Sequence, residues 1–166
     1  MNEDIFNRFF NDLSEILTEE SENRSFKTRK VLNEEVDEDW VKAGEYYEQI
    51  KSDSEDVHKI CRNLNETHRV VTRVKDYLFV REHIIISNDV EEKRCFDPDP
   101  EIVNAWSRLT VGDFVDSDKK LFKHEQVESI LVKREGMDYQ SAHLETIRRG
   151  YDWKPEEAYN GDPGKS

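Results

Sequence analysis

Long hydrophobic runs, cysteines and a secretory leader are all missing or scarce in this chain of 166 residues. No stretch approaches the roughly 18 to 20 apolar residues that cross a bilayer, so we expect no membrane segment and no membrane partner. The two cysteines, Cys61 and Cys95, form neither a metal-ligand spacing nor a disulfide framework. The N-terminus is acidic early and lacks a continuous apolar core, which argues against a secretory signal. We therefore expect a cytoplasmic protein with reduced thiols.

Positive charge is also in short supply, because 38 acidic residues outnumber 25 basic ones and give a net charge of −13. The imbalance is uneven: residues 1–56 carry 17 acidic and 7 basic side chains, whereas residues 57–96 carry 6 and 8. Proteins that capture nucleic acid by broad electrostatic attraction usually present a basic face. The charge argues against that mode of binding, although it leaves a phosphate-bearing substrate open.

Helical periodicity is what the chain has in quantity. Apolar residues recur at helical spacing in residues 2–20 and a polar linker follows, so residues 1–36 are predicted to form an acidic helical arm and linker. Residues 37–153 are predicted to form a helical domain, and residues 154–166 a flexible tail. The one β-rich run is His83–Ser87. The expected fold class is mainly α, a small helical bundle with at most one short β-hairpin or strand.

Polar residues interrupt the apolar stripe of the helix predicted at residues 118–134. At about 100° per residue, His124, Glu125 and Glu128 fall among the apolar side chains, and the lysines fall on the opposite side. A buried carboxylate is energetically expensive unless it is paired, protonated or bound to a metal. Such arrangements tend to occur at sites that perform chemistry.

The next predicted helix, at residues 139–149, brings a second histidine to the same level. Gly136 stops the preceding helix, and a tight turn there makes the two helices antiparallel. His143 lies about seven residues after the turn and Glu128 about eight before it, so at about 1.5 Å of rise per residue they stand nearly level. We therefore expect His124, Glu128 and His143 to face one cleft.

Two interpretations of this cluster are open at the level of sequence. In the functional one, His124, Glu125, Glu128 and His143 are catalytic, and His124, Glu128 and His143 hold a divalent metal ion. The H-E-x-x-E spacing supplies only one imidazole per helix, so zinc needs His143 as its second imidazole. In the structural one, Glu128 and His143 form a buried hydrogen-bonded pair.

A second set of polar residues follows the middle helix. Lys75 and His83 lie at its end, and Arg94 follows the short strand. These three side chains could bind an anionic substrate group beside the cluster, or they could be solvated surface, which is the commoner fate of lysine and arginine.

Several motifs then occur in a fixed order: V-K-D-Y-L-F-V-R-E-H at residues 74–83, R-C-F-D-P at 94–98, A-W-S-R-L at 105–109, K-H-E-Q-V-E-S at 123–129, A-H at 142–143 and Y-D-W at 151–153. Together they resemble a C-terminal domain of bacterial polymorphic toxins and of phage head-morphogenesis proteins, across residues 54–153. The resemblance implies that the polar positions of that family are Lys75, His83, Arg94, His124, Glu125, Glu128 and His143.

The resemblance also implies a function. It favours a phage- or mobile-element-type effector, a hydrolase and preferably a nuclease, with nucleic acid as substrate and with Lys75 and Arg94 holding the phosphate. The chain departs from the family in having a short acidic arm where a long delivery region is usual. The alternative is a non-catalytic acidic binding protein, an inhibitor or immunity-like protein, whose N-terminal helix occupies a basic protein partner. Net charge favours the alternative, and the inward polar residues favour the enzyme.

Overall fold

The computed structural model describes residues 30–159, which form a mainly α-helical bundle with one antiparallel hairpin. The predicted fold class is thus confirmed, whereas the helix predicted at residues 2–20 lies outside the described residues. In chain order the elements are α1 (Asp37–Ser52), α2 (Glu55–Leu64), α3 (His68–Lys75), a π-helical turn (Asp76–Val80), β1 (His83–Ser87), β2 (Val90–Arg94), α4 (Pro100–Val111), α5 (Asp116–Glu135), α6 (Tyr139–Arg148) and a 3-10 turn (Pro155–Ala158). Within this range, none of the helices has both the length and the apolar character needed to cross a membrane.

Side-chain caps and glycines set several of the helix ends. Asp99 accepts a hydrogen bond from the Glu101 amide at 2.7 Å, and Asp138 accepts one from the Ser141 amide at 3.0 Å. Gly136 ends α5 in the left-handed conformation, with φ of 68°. Of these, Gly136 is predicted from the sequence to end its helix. These ends matter for the site because they fix the turn between α5 and α6.

The hairpin is built on the β-branched run that predicts a strand. Its pairing runs from His83 opposite Arg94 to Ser87 opposite Val90. The two residues between the strands, at positions 88 and 89, have φ of 50° and 62°, as a two-residue turn of type I′ requires. The second strand, V-E-E-K-R, carries no alternation of apolar and polar residues, so its pairing follows from the turn.

The apolar core lies between the first four helices and the π-helical turn. Phe79 is its centre, because its ring meets Tyr47 edge-on at 4.7 Å and Trp106 edge-on at 5.1 Å between centroids. Tyr77, Leu78 and Phe79 are successive residues, yet none is more than 2% exposed. The π-helical turn contacts both α1 and α5, so Phe79 can enter the apolar core while Tyr77 reaches α5.

Two buried ion pairs connect the helices. Arg108 of α4 binds Asp118 of α5 through two hydrogen bonds of 2.7 and 2.9 Å, and both side chains are at most 2% exposed. Asp56 of α2 accepts from Lys75 at 2.7 Å and from the Trp106 indole at 3.0 Å. Removal of one partner from such a pair typically costs about 3–5 kcal/mol, because it leaves the other charge buried and uncompensated.

Both ends of the helical domain extend further than the sequence predicts. Leu32 is only 3% exposed, and the Asn104 side chain accepts from its amide at 2.9 Å and donates to its carbonyl at 2.8 Å. Near the other end Ala158 is buried, and the Tyr159 hydroxyl donates to a glutamate of α4 at 2.8 Å. Residues 30–36 and 154–159 therefore contribute to the packing of the helical domain. Leu32 and Ala158 are single apolar residues within polar stretches, so hydrophobic periodicity does not reveal that they are buried.

We expect a chain that begins at residue 37 to be less stable than one that begins at residue 30. The longer truncation removes Leu32 from the core and deprives the buried Asn104 side chain of its hydrogen bonds with the Leu32 backbone. Loss of a buried leucine side chain typically costs about 2–5 kcal/mol. Urea denaturation of the two truncated chains measures the difference, and Leu32→Ala in the full chain is the matched control. Equal unfolding free energies for the two truncated chains would contradict the boundary.

Candidate functional site

Three side chains from α5 and α6 converge on one point. His124 Nε2 lies 2.9 Å from Glu128 Oε2, His143 Nδ1 lies 3.0 Å from the same oxygen, and the two nitrogens are 3.2 Å apart. Glu128 is 1% exposed and His124 is 4% exposed, whereas the His143 side chain is 40% exposed. The structure thus brings together the three residues that the helical phase and the Gly136 turn predict to meet. We call them the His/Glu cluster.

The ring of His124 is oriented by a backbone carbonyl. Its Nδ1 lies 2.5 Å from the Tyr151 carbonyl oxygen, and because that oxygen only accepts, Nδ1 carries a proton. In the neutral ring Nε2 then presents its lone pair to the cluster. Burial lowers the pKa of His124, but the hydrogen bond with Glu128 and the charge of Glu125 outweigh burial and raise the pKa to about 9. With no ion bound, Nε2 therefore holds a proton at neutral pH.

Glu128 is held at both carboxylate oxygens. Its Oε1 accepts a hydrogen bond from the Tyr77 hydroxyl at 2.8 Å, while its Oε2 faces the two histidines. Burial raises the pKa of Glu128, but the hydrogen bonds from His124, Tyr77 and His143 outweigh burial and hold the pKa below its ordinary value. Glu128 is therefore a carboxylate although almost no solvent reaches it.

Hydrogen bonds alone cannot make all three contacts among His124 Nε2, His143 Nδ1 and Glu128 Oε2 favourable. The carboxylate oxygen only accepts, so both nitrogens must donate for both short contacts to be favourable. If both donate, two N–H groups face each other across 3.2 Å. If only one donates, the lone pair of the other nitrogen faces the oxygen within 3.0 Å. Three lone pairs directed at one cation have no such conflict.

The triangle also has the size of one face of a tetrahedral metal site. Ligand atoms about 2.0–2.1 Å from a zinc ion stand about 3.3–3.4 Å apart in tetrahedral geometry. The observed sides of 2.9, 3.0 and 3.2 Å reach those values with small side-chain adjustments. Two imidazoles and one carboxylate are a known catalytic zinc set, which leaves the fourth position open. The carbonyl behind His124 and the hydroxyl behind Glu128 resemble the partners that orient metal ligands.

The cluster forms part of the wall of a cavity of about 400 Å³. That volume falls within the range of small-molecule sites. Among the described residues that line the cavity, none is a lysine or an arginine, and several are acidic or aromatic: Phe96, Asp97, Asp99, Glu125, Tyr139, Asp152 and Trp153. The lining therefore repels an anionic substrate unless a cation is bound.

Glu125 faces this cavity from the position next to His124. It is 7% exposed, and its carboxyl group has no hydrogen-bond partner among residues 30–159. Burial, and after it the charge of Glu128, raise the pKa of Glu125 to about 8, and the charge of His124 opposes them. A carboxyl group with a pKa near the working pH can accept a proton and return it.

His83 lies behind the site rather than in the cavity wall. Its ring stacks on Phe96 at 3.9 Å and meets Tyr77 edge-on at 4.6 Å, and its Nε2 donates to the Tyr77 carbonyl at 2.9 Å. Burial lowers the pKa of His83. These contacts tie the hairpin to Tyr77, and through Tyr77 to Glu128.

Lys75 and Arg94, the cations predicted to hold an anionic substrate group, each form an ion pair with a carboxylate of the protein. Lys75 is buried and donates to Asp56 at 2.7 Å and to the Asp53 carbonyl. Arg94 binds Asp97 through two hydrogen bonds of 2.7 and 3.1 Å. Neither cation lines the cavity. The sequence shows where a lysine or arginine lies along the chain, but it does not show which carboxylate will be its ion-pair partner in the fold.

Three participants in the site are not predicted as functional from the sequence. Tyr77 is recognisable only as an inward residue of a helix, which does not separate it from the core. Tyr151 contributes a backbone carbonyl, which no side-chain pattern reveals. Trp153 lies at the cavity, and its Nε1 is buried without a hydrogen-bond partner among residues 30–159. The Y-D-W motif is the one sequence signal that marks the latter two.

No known protein-family model matches the chain, and no characterised protein or solved structure matches it either. The geometry of the His/Glu cluster and its cavity is therefore the basis for a functional proposal.

We expect the protein to bind one zinc ion at the cluster. His143→Ala removes one of the three ligands at a partly exposed position, so it should weaken zinc binding at least about tenfold, since even the supporting residues of metal sites contribute about 10- to 100-fold. Isothermal titration calorimetry at neutral pH measures the change. The matched control is His58→Ala, which removes an exposed histidine outside the cluster and should leave the affinity unchanged. The same zinc affinity in all three proteins would contradict the assignment.

Proposed function

We propose that the protein is a metal-dependent hydrolase whose divalent ion, zinc by its ligand set, is held by His124, Glu128 and His143. The observation that carries this proposal is the convergence of three ligand atoms, no two more than 3.2 Å apart, beside the unpaired Glu125 in one cavity. Zinc peptidases with an H-E-x-x-H helix also place a glutamate directly after the first histidine ligand. Here Glu128 takes the second helical position, and the second imidazole comes from α6.

The residues around the ion have separate tasks. When bound, the ion supplies Lewis acidity, which polarises a carbonyl or phosphoryl oxygen and favours deprotonation of water. Glu125 accepts the proton of the attacking water and returns it to the leaving group. Tyr77 and the Tyr151 carbonyl keep Glu128 and His124 in position, so the cluster does not have to reorganise during the reaction.

The charge of the cavity favours an uncharged or positively charged substrate. Asp97, Asp99 and Asp152 line it, with Asp97 paired to Arg94 from outside the wall, and the described lining residues contain no lysine or arginine. A scissile amide or ester bond in a polypeptide is compatible with this lining, whereas a phosphodiester depends on the bound ion alone for charge neutralisation. Hydrolysis of a peptide or a related acyl compound is therefore the activity that the geometry supports best.

An effector-type nuclease is the second candidate function. The resemblance to domains of polymorphic toxins and phage head-morphogenesis proteins supports it. One observation on the structure favours it as well: arginines and a lysine gather on the other side of Tyr77, where a strand of nucleic acid could be held. The peptidase and the nuclease use the same ion and the same Glu125, and they differ in the substrate that is cleaved.

The proposal is tested with zinc-loaded protein on a fluorogenic peptide library and on single-stranded RNA and DNA. Glu125→Gln removes the proton acceptor, so it should lower kcat at least about 100-fold, the usual contribution of general base catalysis. Zinc affinity should stay within about threefold, because Glu125 is not one of the three ligands.

Glu135→Gln is the matched control, since it makes the same chemical change at an exposed position near the end of α5 and should leave kcat unchanged. Cleavage of nucleic acid but not of peptides would select the second candidate. Full activity of the Glu125→Gln protein would overturn the assigned mechanism.

A further inference from the structure

A second cavity, of about 380 Å³, lies on the other side of Tyr77 from the cluster. It is formed by α3, the π-helical turn and the C-terminal half of α5. Five of its lining residues are cationic: Arg69, Arg73, Arg81, Lys133 and Arg134. We call it the arginine groove. Tyr77 is among the residues that line the groove, and its hydroxyl donates to Glu128 in the cluster.

The cations of the arginine groove are unusual in a chain with so many acidic residues. Asp76 is the one carboxylate among the described lining residues, and it lies 3.5 Å from Arg81. Within residues 30–159, no ion pair neutralises the other four cations of the groove, although 38 acidic residues are present in the chain. Like charges held together in this way repel one another unless an anion lies between them.

Arg73 carries a second sign that a ligand is needed. Its Nε is buried and has no hydrogen-bond partner in the described part of the chain. Buried donors in folded proteins are nearly always satisfied. An anion seated among Arg69, Arg73 and Arg134 would provide the acceptor and neutralise the charges together.

We propose that the arginine groove binds a phosphate-bearing ligand. The planar guanidinium group matches phosphate oxygens with two parallel hydrogen bonds, which favours phosphate over a single carboxylate. The volume is that of a small-molecule site, and the partly exposed Ile130 offers apolar surface for a nucleoside. A free nucleotide and a nucleic-acid strand share this chemistry.

This inference goes beyond the proposed hydrolase and does not rest on it. None of the groove cations is a ligand of the proposed ion, and the groove and the cavity of the cluster share no lining residue. Occupancy of the groove and occupancy of the cluster can therefore be measured separately in the same protein.

The test measures binding of ADP by calorimetry and of a fluorescein-labelled short single-stranded RNA by anisotropy, at about 50 mM salt, where phosphate contacts are strong. We expect one ADP-sized ligand per chain. The double variant Arg69→Gln/Arg134→Gln changes two exposed side chains and should weaken binding at least about tenfold. Tighter binding of RNA than of ADP identifies a strand as the source of the phosphate, and the reverse order identifies a free nucleotide.

The matched control is Lys59→Gln/Arg62→Gln, which removes two exposed charges of α2 outside the groove and should bind both ligands as the unmodified chain does. Equal losses in the two double variants, or no binding of either ligand by the unmodified chain, would overturn the proposal. Zinc affinity should be the same in all these proteins, so a failure of the groove is distinguishable from a failure of the metal site.

Discussion

The arrangement of α5, α6 and the π-helical turn depends on one constraint, which is that the buried carboxylate of Glu128 stays ionised. It is 1% exposed, and its neighbours hold its pKa below the ordinary value in spite of burial. Three elements contribute to that: α5 supplies His124, α6 supplies His143, and the π-helical turn supplies the Tyr77 hydroxyl. A structural ion pair needs only one such partner. The convergence of two imidazoles on one oxygen, which protons satisfy poorly, is what favours a metal site over a structural pair.

The features of the site that were predictable from the sequence are those set by residues close together in the chain. The meeting of His124, Glu128 and His143 depends on helical phase and on the Gly136 turn, and short stretches of sequence determine both. The hydrogen bond from Tyr77 depends on how a π-helical turn packs between two helices, so no local pattern reveals it. Long-range packing also decided where the domain begins, because Leu32 joins the core through Asn104 of α4.

Net charge alone does not describe how the charges are distributed over the fold. The chain carries −13 overall, which favours an acidic inhibitor or immunity-like protein. The fold nevertheless separates the charges. Acidic side chains line the cavity beside the His/Glu cluster, and the cations of the arginine groove lie on the opposite side of Tyr77. Arg69, Arg73 and Arg81 come from the middle segment of the chain, whose basic residues outnumber its acidic ones. The acidic face is the basis of the proposed metal site, and the cationic face is the basis of the proposed phosphate site.

The most direct test of this account is a crystal structure of the zinc-soaked protein with anomalous data at the zinc edge. We expect one strong peak about 2.0–2.2 Å from His124 Nε2, Glu128 Oε2 and His143 Nδ1, with the Tyr77 hydroxyl still bound to Glu128. A peak at another place, or an ion-free cluster in which His124 and Glu128 keep their 2.9 Å contact, would contradict the central claim.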